Sequence, residues 1–348
     1  ALYPPPKVGG FTATADKYSV AMDITHVEAQ SILHDMVKTV DVVIENYKVG
    51  SLAKYGLDYA TLSAINPKLV YCSITGFGQD GPRADEPGYD FIIQGISGLM
   101  SITGEPDGVG AGAQKVGVAV VDIQTGLYAT IAIQAALLAR HHTGNGQYID
   151  ISLLDVQIAG LANQGMNYLT SGKPPKRMGN KHPNIVPYQT FKAKDKEFII
   201  ACGNDKQFAD LCHAIGYDAL LAEPQFLKNQ DRVKNRDELI ALLSQHFLTQ
   251  TAEYWVAAIQ AVKVPVGVIN SIEDALHEPQ VLHRNMVVNI THTLNPDFTM
   301  IGSPIKLSDT PVQYKSAPPQ LGEHTQTVLS QFVTPEQLNA LTQRNILG

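Results

Sequence analysis

The sequence predicts an α/β fold with a second, smaller α+β unit, and three observations carry this. Mostly apolar runs of strand length at Val40–Ile44, broken by Asp41, and at Leu69–Ile74, broken by Ser73, alternate with segments of helical spacing, as strands buried on both faces of a parallel sheet do. From Tyr148 to Leu153, Ile149, Ile151 and Leu153 alternate with Tyr148, Asp150 and Ser152, the pattern of a strand with one wet face. A basic stretch rich in Pro and Gly, Ser171–Pro187, then separates this region from one of different character.

The elements follow in order. Ala1–Gly10 carries three consecutive prolines and two glycines and reads as an irregular lead-in. Tyr18–Ile24 is a short extended run. Val27–Thr39 has helical spacing, with Val27, Ile32, Leu33, Met36 and Val37 near one face. Val40–Ile44 is a strand ending at Glu45-Asn46. Gly50–Tyr55 and Tyr59–Ile65 are short helices, the second stopped by Asn66-Pro67. After the strand Leu69–Ile74, Thr75–Pro87 is loop-like, with three Gly and two Pro. Phe91–Met100 is apolar, and Gly104–Gly117 is a second Gly-rich loop. Ile123–Arg140 is the strongest helix, and Asp155–Leu169 is again helical. Beyond Pro187, Glu197–Ala201, Val266–Asn270, Met286–Thr291 and Ile301–Leu307 read as strands. Asp205–Ile215, Arg236–Leu248 and Thr251–Val262 read as helices, and two short helices close the chain.

Composition narrows the function. The 348 residues have room for two buried cores. With 26 basic and 33 acidic side chains the net charge is −7, which disfavours general nucleic-acid binding, because that needs cations to displace phosphate counterions. No apolar stretch is expected to span a bilayer, and no charged-then-apolar leader opens the chain. Cys72, Cys202 and Cys212 lack metal-site spacing, so neither a disulfide framework nor a structural zinc is expected. The setting expected is cytoplasmic, or a mitochondrial matrix.

Local chemistry offers few sharp motifs. Gly76, Gly78 and Gly81 have GxGxxG spacing, but Asp80-Gly81-Pro82 reads as a turn and no helix opens there. No HExxH or GxSxG occurs, and His141-His142 suits the negative end of a helix. Asn46-Tyr47 follows a buried strand, where crevices of open sheets hold ligands; the pattern alone favours a turn Asn beside a packed Tyr. Asp122 stands where an apolar run meets the long helix. Helix N–H groups there would keep it ionised, and locally an ordinary N-cap fits it well. Asp155 occupies a similar position, and pattern does not choose between the two.

Several ordered blocks together resemble the class III coenzyme A transferases, the CaiB/BaiF family. They are DVVIENYKVGSLAKYGLDYATLSAINPKLVYCSITGFGQDGP, PGYDFIIQGISGLMSITGEPDG, KVGVAVVDIQTG, ARHHTGNGQYIDISLLD, GNKHPNIVPYQTF and PPQLGEHT, spread over nearly the whole chain. The resemblance implies a Rossmann-like large domain (residues 1–175 and 300–348) with a smaller α+β domain inserted at 188–295, joined by linkers 176–187 and 296–299. It implies an interlocked, ring-shaped homodimer. It makes Asp122 the nucleophile and returns Asp155 to a helix-start role. CoA contacts map onto Asn46, Tyr47, Lys54, Tyr55 and Tyr89. Asp90 joins the same site, and Gly179 and Asn180 form the turn of a mobile loop over the acyl group.

The activity implied is transfer of CoA from an acyl-CoA to a carboxylic acid, a short dicarboxylate such as succinate or glutarate. It runs through a covalent aspartyl-CoA intermediate, with CoA and acyl-CoA as substrates and no permanently bound cofactor, metal, nucleic acid or membrane. Two departures stand out. The family's opening strand–helix–strand segment has no counterpart before Ala1, so the chain reads as truncated or late-starting. Lys48-Val49-Gly50 also lacks the usual Pro before its Gly. The alternatives are an α-methylacyl-CoA racemase-like isomerase and a truncated, non-catalytic family member. Against the isomerase, the racemases carry a His acid–base group in the block that here reads PGYD. Tyr89 holds that place, and with a pKa of about 10 a Tyr is a poor base near neutral pH.

Overall fold

The computed structural model describes residues 16–292 and 294–348; the lead-in Ala1–Gly10 lies outside them. The chain divides into two compact units. Of the described residues, the first holds 16–97, 117–162, 276–292 and 294–348, the second 98–116 and 163–275. Residues 276–292, grouped with the small domain on sequence, fall in the first unit, and residues 98–116 and 163–175, grouped with the large domain, fall in the second.

In the first unit, β1 (Val42–Glu45), β2 (Val70–Thr75) and β3 (Tyr148–Ser152) form a parallel sheet in that order, with Ile44 opposite Cys72 and Cys72 opposite Ile149. Successive residues of β2 serve opposite faces. Tyr71 joins Leu69 in a cluster with Val37, Leu52, Leu57 and Leu62, on the side of α1 (Val27–Val37) and α2 (Tyr59–Ile65). Ile74 has the other parity and packs with Ile93, Val121 and Leu153. These come from α3 (Asp90–Ile96), α4 (Val120–Thr143) and α5 (Leu153–Gly160). Both faces of β2 are thus covered, which is why its sequence is mostly apolar and its Ser73 is buried with the rest.

A third cluster joins α1 to the closing helices α14 (Thr325–Leu329) and α15 (Pro335–Gln343) through Ala29, Ile32, Leu329, Leu338 and Leu341. Tyr18–Ile24, read as extended, contributes an isolated bridge, Met22 to Leu347. The hairpin β7 (Val287–His292) and β8 (Asn295–Ile301) completes the unit. The sequence placed the last strand at Ile301–Leu307; it ends at Ile301 instead, and Pro304, which has no N–H to give to a ladder, follows.

Asp155–Leu169 is two helices, α5 and α6 (Ala162–Ser171), not one. Ala162 takes a left-handed φ of 47°, which no helix continues through.

The second unit is an antiparallel sheet of β4 (Tyr188–Lys192), β5 (Glu197–Ala201) and β6 (Val266–Val268). It is packed by α7 (Asp205–Ala214), α8 (Pro224–Leu227), α9 (Asn229–Lys234), α10 (Arg236–Phe247) and α11 (Ala252–Ala261); the chain leaves the unit within α12 (Ile272–His277), and α13 (Pro279–His283) belongs to the first unit. Its core is one continuous cluster including Phe191, Phe198, Phe208, Phe247 and Trp255, and the Trp255 indole N–H donates to Phe247 O (2.8 Å). The fully buried Arg232 lies over the Phe208 ring at 4.4 Å.

Candidate active site

In the first unit Asn46 and Tyr47 follow the carboxyl end of β1, and the loop leading to Tyr89 follows that of β2, where a parallel sheet leaves open crevices. Asn46 and Tyr47 leave β1, both exposed, and the turn is set by Glu45, whose carboxylate accepts the Tyr47 N–H at 2.7 Å. Lys54 and Tyr55 lie in the single 3-10 turn Ala53–Tyr55, with the Lys54 ammonium 4.6 Å from the Tyr55 ring centre. Between these stretches lies a cleft of about 310 Å³, whose lining includes Glu45, Lys48, Gly50, Asp58, Tyr59 and Tyr148. Tyr59, Tyr71 and Tyr148 form a ring cluster with centroids 5.2–6.0 Å apart. Burial drives the Tyr71 hydroxyl well above its usual range, and it donates to Leu57 O at 2.9 Å.

Tyr89 and Asp90 are delivered by a close backbone approach. Gly76, just after β2, lies against Gly88 so tightly that a Cβ on either would strike the other's backbone. Tyr89 then begins α3 largely exposed. Both Asp90 oxygens are occupied: Oδ1 accepts the Val121 N–H (2.8 Å) and Oδ2 accepts from Gln94 Nε2 (2.7 Å).

Asp122 differs. It lies in the first turn of α4, two residues past the opening Val120, and is exposed. The N-cap is Ala119, so Asp122 does not cap the helix, and the neighbouring N–H of Val121 belongs to Asp90. Among the described residues its carboxylate accepts no hydrogen bond. Its pKa lies above the ordinary carboxylate value, raised first by the packing around it and then by the Asp90 charge. This corrects the expectation that helix N–H groups favour its ionised form. In α5, by contrast, Ser152 caps the helix by accepting the Asp155 N–H at 3.0 Å.

Gly179 and Asn180 lie in the second unit. Gly179 takes a φ of 59°, and its N–H donates to Gly104 O (3.0 Å). A Cβ on Gly179 would lie 3.0 Å from a Glu105 carboxylate oxygen. Asn180 Nδ2 donates to Thr190 Oγ1 at 3.3 Å.

Sequence reasoning missed Glu45 and Gln94, the residues that fix Tyr47 and Asp90. Gln94 was open to discovery, since it stands four residues after Asp90 on one helix face. Among the described residues no group of His, Cys, Asp and Glu could hold a metal. Cys72, Cys202 and Cys212 are unpaired and buried. Burial pushes the Cys72 thiol up to about 11 and those of Cys202 and Cys212 up to about 12, so all three are poor nucleophiles.

One expectation about α4 also changes. By length and composition alone, this 24-residue helix is long and apolar enough to cross a membrane. Its Val121, Thr125, Ala129 and Ala136 are buried, and it packs on β2 and β3.

Comparison with known proteins agrees with this architecture. The chain is 47% identical over 321 residues to the succinate–glutarate CoA-transferase of Agrobacterium fabrum, spanning 92% of this chain and 80% of that protein. It is 37% identical over 334 residues to the succinyl-CoA:glutarate CoA-transferase of Homo sapiens, spanning 94% and 76%. The crystal structure of a CAIB/BAIF family protein from Brucella suis matches with a TM-score of 0.84 and 44% identity, over 95% of this chain and 87% of that one. Residues 10–325 match the profile of CoA-transferase family III, and the chain belongs to that family.

Proposed function

We propose that this protein transfers CoA between an acyl-CoA and a short dicarboxylate, with Asp122 as the covalent nucleophile. The observation that carries the assignment is the contrast between the two acidic neighbours. Asp90 spends both oxygens on Val121 and Gln94. Asp122 is exposed, accepts no hydrogen bond among the described residues, and has a raised pKa, which leaves its carboxylate free to attack. The dicarboxylate class rests on the relatives named for succinate and glutarate.

The steps balance without a net proton. An Asp122 oxygen attacks the thioester carbon, the C–S bond breaks, and a mixed anhydride and CoA thiolate result. The thiolate attacks the Asp122 carbonyl and the donor acid leaves as a carboxylate, giving aspartyl-CoA. The acceptor carboxylate attacks that thioester and expels the thiolate, which takes the acceptor acyl group and frees Asp122. Each tetrahedral oxyanion needs N–H donors, and the anhydride needs shelter from water. The Gly179–Asn180 turn is the element we assign to cover the acyl group. Asn46, Tyr47, Lys54, Tyr55 and Tyr89 are assigned to CoA.

The same reading makes the protein a homodimer. Ile123, Leu127, Ile131 and Leu138 lie on one side of α4, opposite its buried small residues, and are 54–67% exposed. A stripe of this kind beginning beside the nucleophile fits a second copy, with an interface beyond the roughly 1,600 Å² of a standard complex. The three unpaired cysteines suit a reducing compartment.

The test is an assay with succinyl-CoA and glutarate in deuterated water, run beside a 2-methylacyl-CoA. Glutaryl-CoA formation without exchange of the α-hydrogen supports the transferase. Rapid α-hydrogen exchange without transfer would move the protein to the isomerases, and neither activity would leave it a non-catalytic member.

A further inference from the structure

The stretch after the Gly179–Asn180 turn enters the core at Val186, and polar side chains of two helices hold the residues leading up to it. Asn229 and Arg232 of α9 and Arg236, the first residue of α10, all reach the backbone of residues 182–186. Arg236 Nη2 donates to His182 O (2.8 Å) and Pro183 O (3.0 Å). Asn229 Nδ2 donates to Asn184 O (2.8 Å), and its Oδ1 accepts the Val186 N–H (3.1 Å). Arg232 Nε donates to Val186 O at 2.7 Å. On the other side of the turn, Arg177 Nε donates to Glu105 O (3.0 Å), its guanidinium pairs with Asp107, and Gly179 N–H donates to Gly104 O. Residues 178–181 are therefore strung between two fixed posts within one unit.

Arg232 has an evident structural reason, since it also donates to Phe226 O and Leu227 O and pairs with Asp205 at 3.0 Å. Arg236 has none of this. Half-buried, it binds two loop carbonyls, forms no ion pair among the described residues, and leaves Nη1 buried without a partner there. Burying a guanidinium for two carbonyl contacts costs stability rather than adding it.

We propose that Arg236 is a positioning residue. With Asn229 it fixes the downstream post of the 178–181 turn, so that the turn closes over the acyl group and keeps water from the acyl intermediate. This rests on the reading that the turn covers that group. Loss of the post lets the turn open more often, and intermediates that would pass CoA to the acceptor are lost to water instead.

Arg236→Met removes the donors and keeps the apolar stem; Arg236→Lys restores one cationic donor; Asn229→Ala tests the post from its other member. Two quantities are measured on the whole protein: amide hydrogen exchange across residues 177–187, and the ratio of succinate released by hydrolysis to glutaryl-CoA formed from succinyl-CoA and glutarate. Arg236→Met is expected to speed exchange at His182, Asn184 and Val186 about tenfold, the effect of one or two lost hydrogen bonds. It should leave β5 exchange unchanged and raise the hydrolysis ratio several-fold, with Arg236→Lys intermediate. Unchanged exchange in both Arg236→Met and Asn229→Ala overturns the clamp. Faster exchange with an unchanged product ratio overturns the coupling of this turn to chemistry. The exchange measurement needs no activity, so failure of the CoA-transfer reading appears in the assay alone and is distinct from failure of the clamp.

Discussion

Helices α11 and α4 are both rich in alanine and branched apolar residues, but they use them in opposite senses. In α11 Trp255 and Ile259 point inward and enter a continuous core beside Ala252, the Trp255 N–H taken inside is satisfied, and of the large residues Tyr254 faces outward. In α4 the buried residues are Val121, Thr125, Ala129 and Ala136, while Ile123, Leu127, Ile131 and Leu138 face outward. Small residues inward let α4 lie close on β2 and β3; large residues outward leave apolar surface that water covers at a cost of roughly 25 cal/mol per Å². The unit around α11 is complete within itself. The surface around α4 keeps an exposed apolar stripe, and the exposed Asp122 carboxylate sits at its start. Departures from ordinary folding rules concentrate where function is expected.

The largest effect expected from testing that contrast is on chemistry. Asp122→Asn keeps the size of the side chain and removes the nucleophile, so CoA transfer should fall by about 10⁴-fold or more, measured by steady-state assay. Asp155→Asn, the matched change in the first turn of α5, should retain activity. Comparable losses in both would place the sensitivity in helix starts generally and break the assignment.

Next comes assembly. Ile131→Asp, on the outward stripe of α4, should convert a dimer to a monomer in sedimentation without unfolding either unit. Ile259→Ala, inside the α11 core, should leave the oligomer intact and destabilise the second unit by about 2–5 kcal/mol in denaturant melts. A dimer that survives Ile131→Asp would mean that the stripe has another occupant.

The smallest effect is on titration. Transfer requires the Asp122 carboxylate, so activity should fall as pH drops through its raised pKa. Asp90→Asn keeps an oxygen for the Val121 N–H and removes the charge that repels Asp122, so the acid limb of the pH–rate profile should move to lower pH. Stability follows the same sign. A raised folded pKa means that ionised Asp122 opposes folding at every pH above that value, and the penalty disappears below the unfolded value of about 3.9. Asp122→Asn should therefore raise the melting temperature slightly at pH 7 and leave it unchanged near pH 3. A fall at pH 7 would contradict the account of Asp122's environment.

Much of the fold was legible because local signals agreed with tertiary demand. β1, β2 and β3 are apolar or cleanly alternating, and α4 ends at Gly144 in the left-handed conformation that stops helices. β4 was not legible: Tyr188-Gln189-Thr190-Phe191-Lys192 follows a Pro-rich stretch and contributes Phe191 and the polar Gln189 to the interior. β8 was hidden because residues 296–299, expected as a linker, lie inside the strand Asn295–Ile301, with Pro296 near its start. The site divided likewise. The blocks marked Asp122 and Asp90 by resemblance, but the physics of Asp122 was misread locally. What sets it is first the packing around the helix start and then the charge of Asp90, whose Oδ1 takes the Val121 N–H from thirty-one residues away, and no pattern within a helix start carries that information. The post made by Asn229 and Arg236 was invisible for the same reason, since its ligands are backbone carbonyls some fifty residues away.

The central claim is that Asp122 carries the acyl and CoA groups covalently, and it can be tested by trapping them there. The protein is incubated with succinyl-CoA, quenched with hydroxylamine or borohydride, digested and mapped by mass spectrometry. The account predicts one modified peptide, spanning Lys115–Gly126, with the change at Asp122 and none in Asp122→Asn. Modification at Asp90 or Asp155, or rapid transfer with no trapped residue, would contradict it.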